Sequence, residues 1–474
     1  MTKRRILLKI EIFALIFAVL LSSVTFVVRN KKQTKLIASF YDEPKKSLDV
    51  VFLGTSHMLN AISPLQLYND YGICSYNYSS DSVPLLLSYN ALKSITKYQN
   101  FKIACIDLLG IQYTTENSYR AWNDLYPWFH FLVDEIPIFL DKTILINQYL
   151  SERKDNFSIH LESNIPIYRF HSRWTSLQKE GDFIQFNDFQ KGYSPNFKTC
   201  NVSSPLIIPK EERLRLYTRQ SSTIRNIIDF CNLNGIKLIF TVIPYGQKYG
   251  TNKLLKQYNE ISFILKNEKN VDYINYFHCL DKLKLDFSID FADESHVNPI
   301  GAQKITAHLG KYIKEHYDIP DRRLDPAYAK WNDDYKLYVQ DTFARELNAT
   351  RDSEKYVQLI ASKKEAADNT CMFVVKTLGE GKNSKYFQTL GLNVTGNNYI
   401  AVLDSGKVVY QQAASDVPLM HEYKIGKLPV KLVSDVRGTS SIKVDGIEQV
   451  KNKSGMTVVI YDKLLKKITS VRSL

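Results

Sequence analysis

Nowhere in the chain do two cysteines form a CxxC pair. The six present (Cys74, Cys105, Cys200, Cys231, Cys279 and Cys371) are scattered without metal-ligand spacing. That pattern argues against zinc-ribbon and thioredoxin-like chemistry and suggests no disulfide framework. Cys105 and Cys231 lie in apolar runs and read as small buried hydrophobes. An Arg-rich block is missing, as is any interleaving of aromatic with basic residues. The net charge of +13 is therefore not arranged as a nucleic-acid surface, and no nucleic-acid partner is expected. Internal repeats and low-complexity tracts are absent. Beyond residue 28 no apolar run approaches the roughly 20 residues needed to cross a bilayer.

What is present begins at the amino terminus. Ile12 to Val28 is uncharged and apolar, and the run reaches back to Ile6 with Lys9 and Glu11 as its only interruptions. At about 1.5 Å per helical residue this stretch is long enough to cross a hydrocarbon core of roughly 30 Å. Residues 1–35 therefore read as a single-pass membrane anchor. Basic residues flank both ends, so charge alone leaves orientation open, but a short tail before the span and a long body after it favour an extracytoplasmic body. A cleaved signal peptide is the competing reading. Against it, the run is long for an h-region and no small-x-small site follows.

The 474 residues exceed one ordinary core, and 44% hydrophobic with 23% charged content marks a globular chain. Leu48 to Leu53, Cys74 to Tyr78, Phe101 to Leu109, Ile236 to Ile243 and Val271 to Phe277 are short apolar runs that read as strands. Helical stretches fall between them: one opened by Asp81, Ser82 and Pro84, one from Glu211 to Cys231 closed by Asn234-Gly235, and one carrying Ile305, Leu309 and Ile313. Such alternation predicts an α/β domain over 36–325, a mostly parallel, flavodoxin-like sheet with helices on both faces. An aromatic insertion over about 113–209 lacks clean periodicity. Trp122, Tyr126, Trp128 and Trp174 in it read as packing aromatics or as sugar-stacking walls. Pro320 to Asp334 reads as a polar linker. Residues 335–474 then carry short β runs separated by Gly, Asn and Asp, which predict a second, β-sandwich-like domain.

Two segments carry chemistry. Gly54-Thr55-Ser56-His57 follows the first strand, where a glycine permits the tight backbone that projects a serine hydroxyl and aims its own N–H at a developing oxyanion. Asp293-Glu294-Ser295-His296 precedes the last helix, and the three-residue offset lets Asp293 reach one imidazole nitrogen of His296 while the other faces Ser56. Gly-x-Ser turns and Asp-x-x-His pairs are each common alone; both ends of one βα alternation together make a triad. His57 suits a substrate-contacting or structural role better than that of the base, because adjacent side chains on a turn diverge. His57, Asp293 and His296 have the types zinc takes but not the spacing, so neither metal nor cofactor is expected.

At VFLGTSH (Val51 to His57) and DESHVNPIGAQKI (Asp293 to Ile305) the chain resembles the SGNH/GDSL hydrolase superfamily, in particular its membrane-anchored DltD/AlgX/AlgJ-like branch. YRFHSRW (Tyr168 to Trp174) also resembles a segment of that branch, although His171 there reads as structural. The resemblance covers roughly Leu48 to Tyr317 and implies Ser56 as nucleophile, His296 as base and Asp293 as orienter. The GxND block of hydrolytic members is missing; Gly110-Ile111-Gln112-Tyr113 stands in its place. The second block's glycine is replaced by Asn77-Tyr78-Ser79-Ser80, which leaves Gly54, Asn77, Ser80 and His57 as candidate oxyanion or substrate contacts. From roughly Asp352 onward the chain resembles the interleukin-like EMT-inducer (ILEI-type) domain, at NNYIAVLDSGKVVY, SSIKVDGIEQ and SGMTVVIYDKLLKKITSV, which implies glycan binding. Together these imply an enzyme moving an acetyl or other small acyl group on a surface polysaccharide or wall polymer, beside an MBOAT-family membrane acyltransferase as partner. A carbohydrate esterase with the same triad, and a non-catalytic glycan-binding or assembly protein, are the alternatives.

Overall fold

The computed structural model describes residues 3–28, 31–114, 130, 132–134, 136–137, 139–150, 157–178, 182, 188–249, 251–378, 384–437, 439–452 and 455–474. Trp122, Tyr126 and Trp128 lie outside the described residues. The chain divides into two compact units, Met1–Trp331 and Asn332–Leu474.

The first unit opens with helix α1 (Lys3–Val28), whose residues Arg5–Val28 have a mean hydropathy of 2.4 and the length to span a membrane. Helix α2 (Lys31–Asp42) follows. Its Ile37 and Phe40 are buried, and the Phe40 ring meets Tyr76 and Tyr78 edge-on at 5.3 and 5.0 Å. Five strands then build a parallel sheet: β1 (Val50–Leu53), β2 (Ser75–Asn77), β3 (Ile103–Asp107), β4 (Lys237–Val242) and β5 (Val271–Asn275), in the order β2-β1-β3-β4-β5. Every residue of β1, β2 and β3 is buried; β1 accordingly reads as an unbroken apolar run, whereas β2 buries Ser75 and Asn77 and β3 ends on buried Asp107. The strand order reverses between β1 and β3. In open α/β sheets that switch point, beyond the carboxyl ends of the strands, is where crevices form.

Helices α3 (Ser56–Ala61), α4 (Pro64–Tyr71), α5 (Leu85–Ile95), α6 (Phe139–Leu150), α7 (Phe157–Asn164), α8 (Pro166–Phe170), α9 (Thr218–Leu233), α10 (Asn252–Leu265) and α11 (Pro299–His316) complete the unit. Five of them depart from the sequence reading. α5 starts at Leu85 behind Pro84, so Asp81 and Ser82 do not cap it; Ser82 instead takes a left-handed φ of 52°. α9 starts only at Thr218, where the Gln220 side chain accepts from the Tyr217 N–H at 2.9 Å. The stretch expected to lack periodicity holds α6, α7 and α8; interruption by Pro166 and short length hide their period.

The expected polar linker gives way at Ala329 to a helix, α12 (Ala329–Ala349), whose residues from Asn332 onward belong to the second unit; α13 (Ser353–Ser362) follows, and Asp352 caps it by accepting at Oδ1 from the Lys355 N–H at 2.8 Å. Nine strands follow: β6 (Thr370–Thr377), β7 (Asn398–Asp404), β8 (Lys407–Ala414), β9 (Leu419–Ile425), β10 (Leu428–Asp435), β11 (Thr439–Val444), β12 (Ile447–Asn452), β13 (Gly455–Asp462) and β14 (Lys467–Ser473). They form antiparallel sheets ordered β14-β13-β6-β7-β8 and β12-β11-β10-β9. β6 is buried on both faces. Cys371, Phe373 and Val375 meet Val430, Leu432 and Ile442 of the other sheet, whereas Met372 and Val374 lie under Phe343 and Leu347 of α12 and Tyr356 and Ile360 of α13. The result is sheet on sheet with a helical layer added, and the period of two in β6 serves two different cores.

Candidate active site

The turn after β1 is built by contact. Gly54 has a φ of +156°, and a Cβ there would stand 2.7 Å from the Asp107 Cβ at the end of β3, so only glycine lets the strands close. Thr55 caps α3. Its hydroxyl accepts from the His57 N–H at 3.2 Å and donates to Asp107 Oδ2 at 3.0 Å. Ser56 is thereby the first residue of α3, where its N–H has no intrahelical acceptor.

The opposing loop owes its shape to Asn298 and Pro299. Asn298 caps α11, accepting from the Ile300 and Gly301 N–H groups at 3.0 and 3.3 Å, and its own amide donates to the Ile289 carbonyl at 2.6 Å. Thr306, about two turns into α11, accepts from the Ser63 N–H at 3.1 Å and donates to the Ala61 carbonyl at 3.0 Å. That pin sets the register of α11 against α3 and so of residue 296 against residue 56.

Ser56 Oγ and His296 Nε2 are 2.8 Å apart, and His296 Nδ1 lies 2.9 and 3.1 Å from the two oxygens of Asp293. Ser295 adds its N–H and hydroxyl to Asp293 Oδ1 at 2.9 and 2.8 Å, and the His296 N–H adds a third donor at 3.0 Å. Partial burial pushes the Asp293 carboxyl up, but these donors and the His296 ring outweigh it and hold the group below the usual carboxylate range. An ionised Asp293 fixes the tautomer that leaves Nε2 open to Ser56.

The other sequence candidates find different uses. His57 does not reach Ser56 as a base. Its ring is buried against His296, Tyr245 and Tyr249 at 5.4, 5.6 and 5.3 Å between centroids, and neither ring nitrogen has a partner in hydrogen-bonding geometry. Burial, reinforced by the neighbouring His296, depresses its pKa far below the ordinary value, so the ring is neutral. Asn77 is removed as an oxyanion donor, because both its amide hydrogens go to the Met58 and Ile62 carbonyls at 2.9 and 3.0 Å. The Ser80 N–H is held by the Gly54 carbonyl at 3.3 Å, leaving only its hydroxyl for a ligand. Gly54 acts through close approach alone. The Ser56 N–H is the donor best placed to meet an oxyanion. His171 bonds the Tyr168 carbonyl at 2.8 Å and is structural.

Four site residues were missed by the sequence reading. Asp107 is fully buried, with Oδ1 unpartnered; burial lifts its carboxyl to about 6 although the Thr55 hydroxyl and the Leu109, Ile243 and Thr55 N–H groups oppose that rise. Asp81 faces His296, and its burial also raises its carboxyl. Tyr245 and Tyr249 come from the loop after β4, which the Gly246 N–H ties to the Glu294 carbonyl at 2.8 Å. A polar residue ending an apolar strand was the available signal for Asp107. Among the described residues no cluster of His, Cys, Asp and Glu could hold a metal ion.

The chain matches no family model and no curated protein.

Proposed function

We propose that this chain is an SGNH-type serine enzyme that moves an acetyl or similar acyl group on a surface polysaccharide or wall polymer. The observation that carries the reading is the 2.8 Å approach of Ser56 Oγ to His296 Nε2, with Asp293 on the far nitrogen. Ser56 Oγ attacks the acyl carbonyl and its proton passes to His296 Nε2. The Ser56 N–H meets the oxyanion, and collapse expels the donor's alkoxide, which takes the proton back from His296. The acyl-Ser56 then yields its group to a sugar hydroxyl, deprotonated by the same imidazole, or to water in an esterase. On this reading α1 anchors an extracytoplasmic body beside an MBOAT-family partner that supplies the acyl group.

The second unit supports a glycan partner. A groove of 670 Å³ is lined by Tyr410, His421, Tyr423, Lys431 and Lys443, with the Tyr410 and His421 rings stacked at 3.6 Å. Flat rings of this kind suit a sugar face.

Purified protein treated with a fluorophosphonate is expected to label covalently, and Ser56→Ala to abolish the label while keeping the melting temperature. Unlabelled wild type would sink the enzyme reading. Ester cleavage that is slow in water and fast with an acceptor sugar separates transfer from hydrolysis.

A further inference from the structure

The segment Tyr168 to Trp174, conspicuous in the sequence, plays no part in the triad. Its place in the fold is beside α1. Pro166–Phe170 and the turn His171–Ser176 both contact α1, and Arg173 Nη1 donates to the Val28 carbonyl at 2.6 Å, where the apolar helix ends. Val28 is buried there, whereas the apolar side chains of α1 from Ile6 to Leu20 are exposed.

Around this exit point large apolar side chains face outward. Ile165 is 40% exposed, Tyr168 46% and Trp174 72%. Leu140 and Ile144 of α6, which packs through α7 onto α8, are 64% and 45% exposed. Single exposed apolar residues need no explanation. These cluster where an apolar helix emerges, and they include a Tyr and a Trp, the two residues whose amphipathic rings favour the headgroup layer. Two cations of this segment are turned to partners within the protein: Arg169 pairs with Asp134 and Arg173 with Asp182.

Distance forces the same surface toward lipid. Ile37 in α2 is buried in the first unit, and eight residues separate it from Val28. That chain can span at most about 30 Å even fully extended, and six of the eight are helical.

We propose that residues 165–176 form an interfacial collar, in which Ile165, Tyr168 and Trp174 enter the headgroup layer of the leaflet that α1 leaves at Val28. The collar rests on reading α1 as a membrane span, not on the catalytic reading. It seats the first unit on the bilayer, so that α1 is a mount with a fixed tilt and not a loose tether.

The test uses the full chain reconstituted in phosphatidylcholine–phosphatidylglycerol vesicles whose acyl chains carry bromine near the headgroup. Trp122, Trp128 and Trp331 are common to wild type and Trp174→Phe, so the difference between their emission spectra isolates Trp174. The collar requires that difference emission to fall at least about twofold in brominated lipid and to resist aqueous iodide. Emission quenched by iodide and indifferent to bromine overturns the collar while leaving the anchor intact. Release of the whole chain from vesicles at alkaline pH overturns the anchor and the collar together. Neither result bears on fluorophosphonate labelling of Ser56, so the two readings fail separately.

Discussion

The two units treat their buried polar groups in opposite ways. In the first unit His57, Asn77, Ser79, Thr241 and Tyr245, and farther from Ser56 also Ser94, Tyr276 and His308, each bury a polar atom without a hydrogen-bond partner. In the second unit's sheets no described side chain does so; its two such atoms, on Gln340 and Glu346, belong to α12. There the Ser434 hydroxyl sits among Thr377 Oγ1 at 3.1 Å, Asn398 Oδ1 at 3.1 Å and the Lys376 carbonyl, and its one proton is shared between the last two acceptors. Each unpaired buried group costs about 1–3 kcal/mol. If the proposed function holds, catalysis belongs to the first unit and the groove of the second unit to recognition.

The largest way to break this contrast is at Asp293. Asp293→Asn removes the charge that orients His296, and labelling of Ser56 is expected to fall about 10²–10³-fold, less than for a fully buried orienter because Asp293 is half exposed. An unchanged labelling rate would move the orienting role to Asp81, the other carboxyl facing His296.

A smaller effect sharpens it at Asp107. The Thr55 hydroxyl links Asp107 to the turn, so Thr55→Val and Asp107→Asn are each expected to slow labelling about tenfold, and the double variant no more than the slower single. Stability is expected to move the other way. Burial raises the Asp107 carboxyl from 3.8 to about 6, so the native state holds this proton more tightly than the unfolded chain. Its contribution is full below pH 4 and lost as pH rises through about 6, at most about 3 kcal/mol. Asp107→Asn escapes that loss and is expected to melt higher at pH 8 than wild type while labelling more slowly. A variant that is both less stable and slower makes Asp107 ordinary packing.

How much of this was legible beforehand depended on how local the cause was. β1, β3 and β4 stand out because strands buried on both faces are apolar throughout, and the Ser56 and His296 segments stand out because Gly54, Asn298 and Pro299 shape them locally. β9, β12 and β14 escaped notice because their exposed faces carry Lys, Glu and Gln and break up the apolar run. α12 was hidden by a polar face in WNDDYKLYVQD, which resembles linker composition until Phe343 and Leu347 are seen to be buried. Asn77 misled for a different reason. An asparagine after the second strand has the right chemistry for an oxyanion, but only coordinates reveal that the Met58 and Ile62 carbonyls at the end of α3 claim its amide.

The smallest expected effect on chemistry is also the sharpest test of the division. Ser434→Ala in β10 removes a buried hydroxyl shared by the Lys376 carbonyl, Thr377 and Asn398 Oδ1, which is expected to destabilise the protein by about 1–3 kcal/mol. Labelling of Ser56 should be unchanged at temperatures below the melting transition, because Ser434 lies in the other compact unit. The melting curve and the labelling rate read the two units separately. If Ser434→Ala slowed labelling as much as Asp107→Asn does, polar satisfaction in the sheets would be serving the nucleophile after all, and the contrast between the units would dissolve into a single cooperative structure.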